Sequence, residues 1–277
     1  MNAKKDSLDD LFGPRKGSSE TREQMRKSIE SVGSRTKQKV EDENGTMTMQ
    51  GTPWGSYGMD AKKYLSRFAD NFENIATLPK RLAARHERGE HVLVVDVCGV
   101  ADAKSIGADH TIGFTLQKFA GIPDTESRTT VAGDIFVTKD VNRLMRAIDA
   151  QNTPVSCVFM SPIAGLLKYG EHVATHVKLY ALLSKLYTRM AQDGDIYADI
   201  LDFPYSAAIL ANSLNRLSSK PFCETNQISF RDVRGQSSTA VATIHIFKHR
   251  DAPRSLPSID QLPLSDEDLA RLSAMKL

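Results

Sequence analysis

The segment His91 to Val97, HVLVVDV, constrains the fold of this chain more than any other. It is a nearly continuous β-branched run, and it stops at Cys98-Gly99. A strand with one face in water alternates apolar and polar residues, whereas a strand buried on both faces does not. Such a strand belongs in a parallel sheet with helices on both sides. The one acidic residue in the run, Asp96, sits where the strand gives way to a loop.

The flanking sequence supplies the other layers. Asp60 is placed to cap a helix carrying Tyr64, Leu65, Phe68, Phe72 and Ile75 at spacings of three and four. Pro79 follows, and Arg81 to Arg88 reads as a second, basic helix. Beyond the first strand, Ala101 to Ala108 is a short helical candidate and His110 to Leu116 a second strand. Thr129 to Val137 contains a third strand, ending before Gly133. Val141 to Ala150 is helical, and Val155 to Met160 is a fourth strand. His172 to Met190 is a long helix, ended by Asp193-Gly194. Asp195 to Leu201 is a fifth strand, Ser206 to Leu217 a helix. Gln227 to Val233 and Thr239 to Lys248 are two strands joined by a short turn. The expected class is α/β: a doubly wound, mostly parallel sheet with helices on both faces and a C-terminal antiparallel β hairpin.

Composition divides the chain. Residues 1–52 are rich in charged and hydroxyl side chains and poor in large apolar ones, the mark of a disordered tail. Leu8, Leu11 and Phe12 give this tail a second reading, an amphipathic turn that docks on a protein partner. Residues 53–90 form the N-terminal helices, 91–248 a Rossmann-type domain, and 249–277 a polar C-terminal tail with a short helix at Ser265 to Met275. A chain of 277 residues buries enough core to fold without metal or disulfide. Cys98, Cys157 and Cys223 make no paired motif, no run approaches 18 apolar residues, and the first residues carry no hydrophobic signal core. A cytoplasmic protein with no membrane span is expected. With 36 basic and 34 acidic side chains, net charge provides no general pull on nucleic acid, and a local nucleic-acid contact stays open.

In open α/β sheets ligands bind beyond the carboxyl ends of the strands. Four places qualify. The first is Asp96 to Asp102, where Asp96 orients a ligand amine or the loop itself, and Gly99 allows close backbone approach. It holds neither a full GxGxxG nor a GxxxxGK[ST], so a phosphate cradle is not supported. The second is Thr115 to Lys118, where a ribose-binding acid is missing and Thr115, Leu116 and Gln117 stand instead. The third is Gly133 to Phe136, where Asp134 and Ile135 suit an adenine amino group and ring, or form an ordinary Gly-Asp turn. The fourth is Met160 to Gly165, where Pro162 presents Met160 and Ser161; Ser161 has no partnered base and no GxSxG elbow surrounds it. His172 and His176, in HVATH, lack the metalloprotease glutamate, and no metal is expected. Lys80, Arg81, Arg85 and Arg88 form a basic patch, read either as a solvated helix face or as a contact for an acidic or phosphate-bearing substrate near the sheet's mouth.

The order of these elements over residues 60–248 resembles the class I S-adenosylmethionine-dependent methyltransferases. HVLVVDVCG is similar to the family's first strand and cofactor loop, VAGDIF to its adenine-side segment, and VSCVFMSPIAGLL to its strand-four motif. LYALLSKLYTRMAQDGDIYADIL is similar to its following helix, glycine turn and fifth strand, and ISFRDV with TAVATIHIFK to its closing hairpin. The resemblance implies S-adenosyl-L-methionine as cofactor and small-molecule methyl donor. It implies Asp96, Cys98 and Gly99 over the methionine moiety, Thr115 and Leu116 beside ribose and adenine, Asp134 and Ile135 on the adenine, and Met160 and Ser161 on the acceptor side. It selects no general base, and the acceptor stays unknown; Tyr169, Glu171 and His172 are only near the strand-four loop. The family loop reads acidic-x-Gly-x-Gly-x-Gly; this chain keeps Asp96 and one glycine, and its connection to the second strand is a few residues short.

Two functions follow from that resemblance: a methyltransferase, or a catalytically inactive scaffold working through its N-terminal tail and a protein partner. A nicotinamide-dependent oxidoreductase is disfavoured by the missing GxGxxG and by the terminal hairpin. An open slot above Asp96 and Asp134 favours the enzyme. A slot filled by side chains such as Phe114 and Phe136 favours the scaffold.

Overall fold

The computed structural model describes residues 61–69, 71–115, 124–160, 173–200, 207–231, 238–258 and 261–262. Helix α1 spans Lys62–Ala69, and a 3-10 turn over Glu73–Thr77 leads into α2, Leu78–Glu87, which has Pro79 in its first turn. The strands and remaining helices are β1 (Leu93–Val97), β2 (His110–Thr115), β3 (Arg128–Ala132), α3 (Thr138–Asp149), β4 (Val155–Met160), α4 (Val173–Arg189), β5 (Met190–Ile200), α5 (Ala207–Asn215), β6 (Cys223–Arg231) and β7 (Ser238–Lys248).

Among the described residues, seven strands form one sheet in the order β3-β2-β1-β4-β5-β7-β6. β1 to β5 run parallel to one another, and β7 is antiparallel to both β5 and β6. This is the expected doubly wound sheet with its terminal hairpin. β1 lies at its centre, which is why HVLVVDV needs no polar alternation: all of Leu93 to Val97 is buried.

Strand alternation assigns side chains to two cores. On one face Leu93, Val95 and Val97 pack with Val158, Met160, Ile196, Ile244 and the apolar sides of α3, α4 and α5. On the other, Val94, Cys157, Phe159 and Tyr197 meet Tyr64 and Phe68 of α1, Phe72 and Ile75 of the 3-10 turn, and Leu78 and Leu82 of α2. Val141, Leu144, Met145 and Ile148 of α3, at helical spacing, are all buried. The segment after β7 also contributes to the first core: Leu256 and Leu262 are buried, and Tyr187 and Tyr180 donate to the carbonyls of Pro253 and Pro257. The short helix expected at Ser265 to Met275 lies outside the described residues, as do Asp60 and the tail over 1–52.

Three expectations are corrected. The helix expected over Ala101 to Ala108 is only a 3-10 turn, Lys104–Ile106, because Ala101, Ala103 and Ile106 turn into the second core and Gly107 adopts a left-handed conformation (φ +92°). The apolar periodicity from Tyr64 to Ile75 is broken after Ala69 into a helix and a separate 3-10 turn. Asp193-Gly194 does not terminate α4; the helix passes directly into β5 at Met190, and the pair forms a bulge inside that strand. There Asp193 has φ +59°, and a Cβ on Gly194 would lie 3.0–3.2 Å from the carbonyls of Ala191, Ser156 and Val155.

Candidate functional site

The carboxyl ends of β1 to β4 come together at Val97, Thr115, Ala132 and Met160. Asp96, just below the end of β1, is completely buried. Its Oδ1 accepts the Tyr64 hydroxyl at 2.7 Å, and its Oδ2 accepts the Ala101 backbone N–H at 2.6 Å. Burial pushes its pKa from the ordinary 3.8 up to about 7, against the lowering effect of those two hydrogen bonds. Gly99 lies directly over this carboxyl: a Cβ there would stand 2.3 Å from Oδ2 and 2.6 Å from Cγ and Oδ1. The glycine therefore makes room for Asp96, whose carboxyl holds the loop through the Ala101 N–H.

The loop itself is folded onto β2. Cys98 has φ +66°, a conformation that suits glycine, and its N–H donates to the Phe114 carbonyl at 2.7 Å. Gly99 bridges Phe114, and a Cβ on Gly113 would meet the Gly99 oxygen and Val100 Cα at 3.0 Å. Three further loop N–H groups are engaged: Ala101 on Asp96, Ala103 on Thr111 Oγ1 at 3.2 Å, and Lys104 on Asp102 Oδ1 at 2.9 Å. Burial, then the nearby Asp96 and Asp134 carboxylates, push the Cys98 thiol well above its usual range, so it is no nucleophile.

At the end of β3, Asp134 is 5% exposed; its Oδ1 accepts the Phe136 N–H at 2.8 Å, and its own N–H donates to Asp140 Oδ2 at 3.0 Å. These bonds make the Gly-Asp turn that leads into α3. Ile135 is partly buried against the first core. Thr115 is buried, and its carbonyl accepts the Gly133 N–H at 2.7 Å. Phe114 is completely buried, Phe136 nearly so, and the Phe114 ring would be 2.7 Å from a Cβ on Gly133. Met160 is buried at the end of β4. Leu116, Ser161, Pro162, Tyr169, Glu171 and His172 lie outside the described residues, as does the side chain of His176. The structure thus brings Asp96, Cys98, Gly99, Thr115, Asp134, Ile135 and Met160 to one end of the sheet, with Asp96 and Asp134 accepting hydrogen bonds from within the protein.

The basic patch has another purpose. Arg81 Nη2 reaches Asp195 Oδ2 at 2.8 Å, Arg85 is buried between Glu90 and the Gln192 carbonyl, and Arg88 pairs with Glu90 at 2.5 Å. These partners sit near the amino end of β5, opposite the sheet's mouth, so the reading of the patch as a substrate contact there is corrected. A cleft lined by Lys104, Ala108, Asp109, Thr125, Glu126 and Ser127 also opens at the amino ends of β2 and β3. Among the described residues no three His, Cys, Asp or Glu side chains gather as a metal site, and no helix is long and apolar enough to cross a membrane.

Two things escaped sequence reasoning. Tyr64 was legible as a core residue of a helix but not as the partner of Asp96. The buried polar group of Asp195, Tyr197 and His245 left only a faint signal, polar residues at alternate positions in the otherwise apolar runs DIYADIL and TIHIF.

No family model matches the chain, and no curated protein matches it. Solved structures do. MycE methyltransferase from the mycinamycin biosynthetic pathway, in complex with Mg, SAH and mycinamycin VI, matches at 14% identity and a TM-score of 0.36, over 76% of this chain and 55% of MycE. An O-methyltransferase from Bacillus cereus, in complex with SAH, matches at 8% identity and TM-score 0.35, over 79% of this chain and 90% of its own. The N-methyltransferase NodS from Bradyrhizobium japonicum matches at 8% identity and TM-score 0.35, over 65% and 99%. The chain thus spans only about half the length of MycE. At these values the fold rests on its own strand order and register.

Proposed function

We propose that this chain is a methyltransferase-like protein whose donor cradle is closed, and that it acts as a scaffold for a protein partner. The observation that carries this reading is the β1–β2 crossover. A nucleotide-type cofactor is held at such a sheet by free loop N–H groups and the N-terminus of the following helix. Here no helix follows β1, and the N–H groups of Cys98, Ala101, Ala103 and Lys104 are bonded within the protein. Gly99 has Asp96 beneath it in place of open space. These contacts support a loop that holds itself together in the place where the resemblance would seat S-adenosylmethionine.

The charged segment 1–52, with Leu8, Leu11 and Phe12, is the proposed partner contact, as a unit separate from the helices over 53–90 and the sheet domain over 91–248. A cytoplasmic setting belongs to the same proposal, supported by three cysteines that are all free thiols. The enzyme reading keeps one specific support, the doubly wound sheet with its terminal hairpin and with Asp134, Ile135 and Met160 at its carboxyl end.

Calorimetric titration of the full chain with S-adenosylmethionine and S-adenosylhomocysteine separates the two. The scaffold reading expects no binding heat and no rise in Tm at millimolar ligand. Micromolar binding, weakened by Asp134→Ala, would overturn it and restore the methyltransferase with S-adenosylmethionine as its donor; ligand at 100 times Kd raises stability by about 2.7 kcal/mol, ample for a thermal shift.

A further inference from the structure

We propose that His245 is a doubly protonated imidazolium at neutral pH, a buried cation that clamps the β6–β7 hairpin to the parallel sheet and releases it when its proton is lost. The proposal stands on strand register. Glu224 of β6, His245 of β7 and Tyr197 of β5 are directly opposite one another. His245 Nδ1 lies 2.7 Å from Glu224 Oε1, and its Nε2 lies 2.8 Å from Asp195 Oδ1. An ionised carboxylate only accepts hydrogen bonds, and a neutral imidazole has a single N–H to give. Two such contacts therefore need a proton on both ring nitrogens, or a protonated carboxyl.

The surroundings decide where that proton sits. Arg81 pairs with the other oxygen of Asp195 at 2.8 Å, and the Glu224 side chain is half exposed to water. Asp195 and Glu224 together balance Arg81 and His245, so the cluster is neutral only with His245 charged. Loss of the proton would leave an unbalanced negative charge where His245 and Asp195 side chains are 2% and 1% exposed. The Tyr197 ring stacks on the imidazole at 4.4 Å and 6°, with Phe72 of the 3-10 turn at 5.6 Å, a cation–π arrangement. Tyr197 also donates to Asp195 at 3.4 Å, and burial keeps its phenol neutral. Cys157 of β4, beside Asp195 in register, likewise stays a thiol through burial. Burial by itself would depress the His245 pKa; the two carboxylates outweigh it and raise the pKa above the usual histidine value.

β6 is the outermost strand of the sheet, so the clamp ties three strands and α2 together at that edge. A basic group with a raised folded pKa stabilises below its unfolded value, and that support is lost as pH rises through the folded value. The hairpin therefore loosens on the alkaline side while β1 to β4 stay in place. This holds whichever way the donor titration falls.

Nitrogen-15 spectra of histidine-labelled full chain, assigned with His245→Gln, test the charge state. Two ring N–H protons on His245 at pH 7 are expected; a single one would overturn the proposal. Glu224→Gln, at a half-exposed position, keeps a folded protein in hand, and it should lower the His245 midpoint by about one pH unit. Hydrogen exchange supplies the conformational readout: β6 and β7 amides should accelerate above that midpoint more than β1 and β4 amides of the same sample. Hairpin exchange that tracks the central strands at every pH would also overturn it.

Discussion

Replacing Gly99 with alanine tests whether the glycine serves the fold or a ligand. The new Cβ would fall 2.3 Å from Asp96 Oδ2 and 2.6 Å from Oδ1. Ordinary contact needs more than 3.4 Å, so the carboxyl must retreat by about 1 Å, well beyond what close packing absorbs. It cannot do so and keep both its hydrogen bonds, from Tyr64 at 2.7 Å and Ala101 at 2.6 Å. Each buried partner left unmet costs about 1–3 kcal/mol, so Gly99→Ala should cost about 3 kcal/mol. For a domain of this size that lowers Tm by about 6–12 °C. Urea unfolding followed by circular dichroism measures the loss directly, and a thermal scan checks it. The decisive comparison is the same substitution in an Asp96→Ala background, where the obstruction is gone and the added cost should fall below about 1 kcal/mol. An equal cost in both backgrounds would refute the reasoning. So would a stable Gly99→Ala protein that loses affinity for S-adenosylhomocysteine, since the glycine would then face a ligand.

Other outcomes follow from the same contacts. Asp96 has a folded pKa raised to about 7, so its contribution is complete below the unfolded value near 3.8 and is lost as pH rises to about 7, levelling off above. The full difference is about 4 kcal/mol, and Asp96→Asn should flatten that slope in urea titrations between pH 4 and 7. Tyr64→Phe leaves Asp96 Oδ1 without its donor while keeping the ring stacked on Phe159 at 4.5 Å; it should cost about 1–3 kcal/mol, and an unchanged unfolding midpoint would remove Tyr64 from the site. Arg81→Ala strips Asp195 of its guanidinium and should cost about 3 kcal/mol, largely recovered when Asp195→Asn is added.

Much of the sheet was legible without coordinates. A run such as HVLVVDV is stable only where both faces are covered, and the alternation of short β-branched runs with amphipathic helices leaves few arrangements besides a doubly wound sheet. The hairpin was legible because TAVATIHIF follows the fifth strand with no helix between it and ISFRDV. Even the shortened loop after Asp96 was visible, since a missing glycine is a property of the string.

What the loop does with its remaining residues was not visible. Whether Asp96 points at a ligand or into the protein depends on Tyr64, 32 residues away, and on the seat of α1 against β4. The apolar periodicity of Ala101 to Ala108 suits a helix, but the same residues fill the second core as an irregular crossover, because tertiary burial outweighs a weak local propensity. Arg81 and Arg85 read from sequence as a solvated face or as a substrate contact, whereas their partners come from β5, more than 100 residues on. Local sequence carries the period of an element and therefore which face is apolar. Hydrogen-bond partners, and with them the charge state of Asp96 or His245, are set by strands and helices distant in sequence, so only the folded chain decides them.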